Sequence, residues 1–187
     1  MRIISGSFKG KKILTPNDDK TRPLKDLTKE SIFNIINHSN KFSINFKNSE
    51  VLDLFAGTGS FGIECISRGV KHVTFVENYL NILSILKKNL SNLKSVKNYS
   101  IIEKDIINNL YTNDLKKKFD IIFIDPPYKE TKINEIVSTI INKKILKQNG
   151  IIIIHRHKKQ KDILPEIIKI LEEKKYGISK ILFCTHI

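Results

Sequence analysis

Val51-Leu52-Asp53-Leu54-Phe55-Ala56-Gly57-Thr58-Gly59-Ser60-Phe61-Gly62 runs from an apolar segment into a glycine-rich turn, and the reading of this stretch decides the fold. Val51 to Phe55 reads as a strand, and Ser60 to Arg68 as a helix that starts on the turn. G-x-G-x-x-G carries little meaning by itself. Placed after a strand and opening a helix, it marks a main chain that turns sharply and approaches a ligand closely. Glu77 ends the next β-branched run, Lys71 to Val76, about twenty positions beyond Gly57, where an acid accepts hydrogen bonds from both hydroxyls of a ribose. The glycines alone are equally satisfied by a tight strand-to-helix turn. Together with Glu77 they specify an adenosine-type ligand.

Working outward, short apolar runs alternate with helical patterns from Glu50 onward, the signature of a doubly wound α/β sheet. Leu80, Leu83, Leu86, Leu90 and Leu93 recur at helical spacing, which predicts an amphipathic helix over Tyr79 to Leu93. Tyr99 to Ile102, Phe119 to Ile124 and Gly150 to Ile154 read as further strands, with a helix over Ile133 to Ile141. The last two strands are apolar on both faces, as central parallel strands are. At the C-terminus Ile163, Leu164, Ile167, Ile168 and Leu171 match a helix. Tyr176-Gly177 equally permits a hairpin with Ile168 to Lys175 and Ile178 to Cys184 as arms. At the N-terminus, Arg2 to Phe8 and Lys12 to Thr15 flank Lys9-Gly10-Lys11 as a basic hairpin, and Asp26 or Thr28 is placed to cap a following helix.

The 187 residues suit one domain with an N-terminal appendage. Net charge is +14, from 33 Lys and Arg against 19 Asp and Glu, which favours a polyanionic partner. Abundant Lys, Asn and Ile with little Met and no Trp would also follow from AT-biased coding, so the distribution carries more weight than the total. Arg2, Lys9, Lys11, Lys12, Lys20, Arg22 and Lys25 crowd the first stretch against only Asp18 and Asp19. Cys65 and Cys184 lack metal or disulfide spacing and read as small core residues. No run reaches the roughly 18 apolar residues of a membrane span, and the first residues do not resemble a signal peptide. A cytoplasmic protein with no membrane partner is expected.

Two ligands fit the glycine turn, a dinucleotide and S-adenosylmethionine. Asp53, at the end of the first strand, would repel a pyrophosphate, whereas it can accept a hydrogen bond from the ammonium of a methionine moiety. Asp105 is placed to accept from an adenine amino group, or to cap the Ile106 to Leu110 segment. Asp125-Pro126-Pro127-Tyr128 then closes the strand Phe119 to Ile124. Each proline fixes its own φ and pushes the residue before it toward extended backbone, so the segment is stiff. A stiff turn can aim the Asp125 carboxylate and a main-chain carbonyl at the two hydrogens of an NH2 group, with Tyr128 as a stacking face. A proline-rich turn with no chemistry has the same four letters.

With Asp53-x-Phe55-x-Gly57-x-Gly59, Glu77, Asp105 and Asp125-Pro126-Pro127-Tyr128 in that order, the chain resembles the class I S-adenosylmethionine-dependent methyltransferases that methylate amino groups. More narrowly, it resembles the bacterial 16S ribosomal RNA guanine-N2 methyltransferases of the RsmD family. Arg2-Ile3-Ile4-Ser5-Gly6-Ser7-Phe8-Lys9-Gly10-Lys11-Lys12-Ile13 is similar to that family's opening, and Arg22-Pro23, Asp26, Glu30 and Phe33-Asn34 are similar to its next segment. Ser5, Leu24 and Leu27 depart from the pattern; at Leu27 an Arg-type charge is lost. The resemblance implies a Rossmann-like, mostly parallel seven-stranded sheet with its last strand antiparallel, which favours the C-terminal hairpin. It also implies an RNA-binding extension over residues 1–40 and a methyltransferase domain over 41–187.

On this reading Asp53, Phe55, Ala56, Gly57, Thr58, Gly59, Glu77, Asp105 and Ile106 bind S-adenosylmethionine. Asp125, Pro126, Pro127 and Tyr128 form the catalytic turn, and Arg2, Lys9, Lys11, Lys12, Arg22 and Lys25 hold RNA phosphates. No metal and no covalent enzyme intermediate is required. The expected partner is 16S ribosomal RNA, free or within an assembling small subunit, and the expected state is a monomer. His155 and His157 are read as structural or solvent-facing and stay outside the catalytic set. Rival readings are a DNA or other RNA amino-methyltransferase acting on adenine N6 or cytosine N4, a protein-glutamine methyltransferase, a nicotinamide-dependent oxidoreductase, and a non-enzymatic RNA-binding assembly factor.

Overall fold

The computed structural model describes residues 1–16, 24–106, 115 and 117–187. Arg22, and all of the Ile106 to Leu110 segment except Ile106, lie outside the described residues. Seven strands, β1 (Glu50–Leu54), β2 (His72–Val76), β3 (Tyr99–Ile102), β4 (Phe119–Ile124), β5 (Leu146–His157), β6 (Ile168–Tyr176) and β7 (Ser179–His186), form one sheet in the order β3-β2-β1-β4-β5-β7-β6. Every neighbouring pair is parallel except those that β7 makes with β5 and β6. The C-terminal pattern therefore resolves as the hairpin. The helical spacing there is incidental, because Ile168 on β6 and Leu182 and Cys184 on β7 extend an apolar sheet face.

Four described α-helices flank the sheet: α1 (Asp26–His38), α2 (Ser60–Ser67), α3 (Leu80–Ser91) and α4 (Ile133–Asn142). Alternate residues of the central strands supply the two core layers. Val51, Phe75, Ile121, Phe123 and Ile153 pack on the side of α1, α2 and α3, while Leu52, Leu54, Ile122, Ile124 and Ile154 pack on the side of α4. Cys65 and Cys184 are both buried in these layers. β5 is longer than its apolar core suggested, since it starts at Leu146 and continues through polar His155, Arg156 and His157. No described helix is long and apolar enough to cross a membrane.

The N-terminal segment shares this core. Ile3, Ile13, Ile32 and Phe33 are buried in the same cluster as Val51 and Phe123. Phe33 stacks on Phe61 at 5.3 Å and Phe61 on Phe123 at 4.0 Å between ring centroids, a ladder running from α1 through α2 to the sheet. The expected hairpin is present in reduced form, a single antiparallel bridge between Arg2 and Lys12. Across it Ile3 N donates to the Lys11 carbonyl at 2.9 Å, Gly10 N to the Ile3 carbonyl at 2.9 Å and Ile13 N to the Met1 carbonyl at 3.0 Å, while Ile4 N and Ser5 N turn to Glu64 at 2.7 and 3.0 Å and Ser7 N to the Ser67 carbonyl at 2.8 Å. The expected capping of α1 is corrected too. Asp26 is the first helical residue and Lys25 the cap position, without a side-chain cap. The Asp26 carboxylate instead accepts from Arg2 N at 3.4 Å.

Lys29 and Glu64, both buried, pin this arrangement. Lys29 Nζ donates to the Arg2 carbonyl at 2.6 Å and lies 3.7 Å from Glu64, which also accepts from Arg68 Nε at 2.9 Å. Burial pushes the Lys29 ammonium below its usual range, while Glu64 and then Asp26 oppose that shift. Glu64→Ala would take from the buried Lys29 charge its nearest carboxylate and leave two backbone donors without their acceptor, so urea denaturation should show a loss of about 3–5 kcal/mol in unfolding free energy. A loss no larger than that of an exposed Glu→Ala control would contradict this role.

Candidate active site

The strand order reverses between β1 and β4, and the glycine turn and the Asp125 turn both leave the C-terminal ends of these neighbours, where open α/β sheets hold their ligands. Phe55, the first residue beyond β1, has φ 58°, a left-handed conformation that is rare for a bulky residue. Its backbone lets Ala56 N donate to the Val76 carbonyl at 3.1 Å and starts the turn over Gly57 and Gly59. A Cβ on Gly59 would lie 2.5 Å from Leu86 Cδ1, and one on Gly62 2.3 Å from Phe75 Cε1, so both are needed for close packing. Around Gly57 the space is open, its nearest contact being the Phe55 carbonyl at 3.9 Å. There a ligand can approach the main chain.

The acids hold the turn. Asp53 is 1% exposed and accepts from Gly62 N at 2.9 Å, capping α2 from the strand below. Glu77 accepts from Gly57 N at 2.8 Å with one oxygen and from Asn78 N and Tyr79 N, each at 2.9 Å, with the other. Asp105 accepts from the side chain of Asn78 at 3.1 Å, which joins it to the same loop, and Ile106 is buried beside it. Buried Asn89 binds the Thr58 carbonyl at 3.0 Å and the Leu14 main chain in both directions. The N-terminal arm thereby touches the glycine turn.

At the second turn the end of β5 supplies the supports. Ile124 pairs with Ile154, so Asp125 stands beside His155. His155 Nδ1 lies 2.8 Å from Asp125 Oδ1, and its Nε2 lies 2.9 Å from Ser179 Oγ on β7. Arg156, fully buried, pairs with Asp162 and donates to the Pro127 carbonyl at 3.2 Å and the Glu130 carbonyl at 2.7 Å. Gln160 holds the Tyr128 carbonyl at 2.8 Å, and half-buried Tyr128 meets the His157 ring edge-on at 4.9 Å. The reading of His155 as a possible solvent-facing residue is therefore corrected. It is 2% exposed because the antiparallel β7 covers it, and β7's place beside β5 had no local signal.

A family model described as conserved hypothetical protein 95 matches residues 1–185. The chain belongs to this family. It is 35% identical over 179 residues, 95% of this chain and 90% of the relative, to the Haemophilus influenzae protein named ribosomal RNA small subunit methyltransferase D. A protein of the same name from Buchnera aphidicola of Acyrthosiphon pisum is 38% identical over 164 residues, 88% of this chain and 82% of the relative. Among solved structures, HI0767 from Haemophilus influenzae superimposes with a TM-score of 0.77 at 31% identity, covering 98% of this chain and 96% of that one. The Escherichia coli protein yhhF shares the fold at a TM-score of 0.84 and 23% identity, covering 100% and 97%. The RsmD-family resemblance and the class I methyltransferase fold are both borne out.

In this family member the site has an electrostatic need. Burial pushes the Asp53 carboxyl well above the usual carboxylate range; the Gly62 N–H opposes that shift, and Asp125 and Glu77 add to it. Acids at the ends of β1, β2 and β4 thus crowd one edge with no described cation bonded to Asp53. A ligand carrying an ammonium or sulfonium charge fits that donor set, and one carrying a pyrophosphate does not. Among the described residues no group of three or more His, Cys, Asp and Glu is placed to hold a metal ion. Arg2, Lys9, Lys11, Lys12 and Lys25 are all exposed on the N-terminal segment. Arg2 lies 4.0 Å from Asp26, and Lys11 sits 5.0 Å from the Phe8 ring centroid.

Asp53→Asn should separate stability from binding. Below the unfolded-state pKa of about 3.9 the carboxyl is protonated in both states and contributes nothing. As pH rises, the unfolded chain ionises while the folded one retains its proton, so the wild-type residue costs stability increasingly toward neutrality. The stability of Asp53→Asn relative to wild type should therefore grow from pH 4 to pH 7, read by thermal unfolding without ligand. Affinity for S-adenosylmethionine should fall about tenfold or more by calorimetry.

Proposed function

We propose that the chain transfers the methyl group of S-adenosylmethionine to the exocyclic N2 of a guanine in 16S ribosomal RNA of the small subunit. The observation that carries this reading is the Asp125 carboxylate, held on a stiff turn one strand away from the glycine turn, in a chain whose relatives are named small-subunit ribosomal RNA methyltransferases. S-adenosylmethionine, when bound, supplies an electrophilic methyl group. Asp53 would hold its ammonium, Glu77 its ribose hydroxyls and Asp105 its adenine amine, with Phe55 to Gly59 and Ile106 lining the site.

The chain's own part in the reaction is positioning and electrostatics. A guanine amine is a weak nucleophile because its lone pair is delocalised into the ring. Asp125 and the Pro126 carbonyl, accepting its two N–H bonds, would draw that lone pair out of conjugation and stabilise the positive charge developing on nitrogen as the methyl–sulfur bond breaks to leave a neutral thioether, and one of the two protons then passes to solvent. Alignment supplies much of the remaining rate, since well-placed reactants reach effective molarities of about 10⁵ M or more. Tyr128 would stack on the extruded base and return roughly 1–3 kcal/mol of the unstacking cost. Residues 1–40, with Arg2, Lys9, Lys11, Lys12, Arg22 and Lys25, would bind phosphates and set the register of the RNA, leaving transfer to residues 41–187.

Asp125→Ala should lower single-turnover methyl transfer to undermodified small-subunit RNA by about 100-fold or more. An undiminished rate would refute the assignment of the turn. Mass spectrometry of ribosomal RNA from cells lacking the protein should show one methylguanosine missing; an unchanged methylation pattern would count against the substrate. Lys9→Gln and Lys12→Gln should each reduce the slope of log affinity against log salt by about 1 while leaving sequence preference unchanged.

A further inference from the structure

His155 stands apart from its neighbours on β5 in what it holds. Arg156 holds main-chain carbonyls of the turn, at Pro127 and Glu130, whereas His155 holds the Asp125 carboxylate itself. Both ring nitrogens are engaged, Nδ1 at 2.8 Å from Asp125 Oδ1 and Nε2 at 2.9 Å from Ser179 Oγ. One arrangement of protons satisfies every atom with a neutral ring: Nδ1–H donates to Asp125, and the Ser179 hydroxyl donates to Nε2. The Asp125 side chain is 19% exposed and on its own could rotate its carboxylate toward solvent. An imidazole fixed between two strands removes that freedom, because the ladder places His157 opposite Ser179 and so brings the Ser179 hydroxyl within hydrogen-bond reach of His155 Nε2.

We infer that His155, braced by Ser179, is a positioning residue for methyl transfer: it occupies Asp125 Oδ1 and thereby presents Oδ2, in one orientation, to the substrate amino group. This rests on the methyl-transfer reading above. A buried histidine serving only the core would be indifferent to which carboxylate it met. Here its partner is the one that accepts from the amine. Asn is the informative substitute at 155, since its side-chain amide donates from about the position of Nδ1–H while giving up the link to Ser179.

The test is steady-state transfer to undermodified small-subunit RNA by wild type, His155→Ala, His155→Asn and Ser179→Ala, with circular dichroism and S-adenosylmethionine titration on each. His155→Ala should lower kcat about 10- to 100-fold, the worth of a hydrogen bond to a charged group, with KM for RNA and affinity for S-adenosylmethionine within about twofold of wild type. His155→Asn should recover most of that loss, and Ser179→Ala should fall between. Wild-type kcat in His155→Ala, a loss confined to KM, or a folded His155→Asn as slow as His155→Ala would overturn the inference while leaving methyl transfer standing. If His155→Ala does not fold, a folded Ser179→Ala and His155→Asn decide: reduced kcat in Ser179→Ala with near-wild-type kcat in His155→Asn supports it, and equal loss in both sinks it. No transfer by the wild-type chain to any small-subunit RNA would overturn the underlying reading and this inference with it.

Discussion

The parallel ladder that aligns Leu54, Ile124 and Ile154 is the constraint on which the site depends. Because β1, β4 and β5 run the same way and in register, the residues that follow these three, Phe55, Asp125 and His155, emerge at one edge of the sheet. Inside the ladder the strands are apolar on both faces and buried by helices, so each can be shifted only by moving its side chains to the wrong layer. At the edge the same strands switch to polar residues. The site therefore inherits the rigidity of the core without belonging to it.

That rigidity is spent on acids. Asp53, Glu77 and Asp125 end neighbouring strands, and the burial of Asp53 beside the other two raises its proton affinity. Backbone N–H groups of the glycine turn partly compensate, through Gly62 for Asp53 and Gly57 for Glu77. The rest of the imbalance is what a cationic ligand would relieve. The strained φ of Phe55 belongs to the same economy, since the turn must be sharp enough to bring those N–H groups over the strand ends.

The N-terminal segment is tied to this machinery by burial as well as by charge. Its Ile3, Ile13 and Phe33 lie in the main core, and buried Lys29 and Glu64 join its first strand-like stretch to α2, the helix that opens on the glycine turn. Asn89 links Leu14 to the Thr58 carbonyl within that turn. A basic surface so anchored would keep a fixed relation to the site. Lys9, Lys11, Lys12 and Lys25, by contrast, are exposed.

Sequence by itself determined the elements whose signal is local. The apolar runs located β1 to β4 to within a residue or so, the leucine spacing of α3 marked its helix, and the glycines with Glu77 and Asp125-Pro126-Pro127-Tyr128 marked both turns. Residues 163–177 could not be read this way, because Ile168 and Leu171 satisfy a helical period while Ile168 and Ile170 satisfy a strand period. Only pairing with β7 settles the choice. The supports of the Asp125 turn were hidden for a related reason. His155, Arg156 and His157 look like a polar strand end until a distant strand covers them, and the meeting of Asp125, His155 and Ser179 depends on contacts across 24 and 30 positions that no local pattern records. Periodicity and turn chemistry are properties of neighbours in the chain, whereas the burial that turns a histidine into a brace for a carboxylate exists only once the strands have paired.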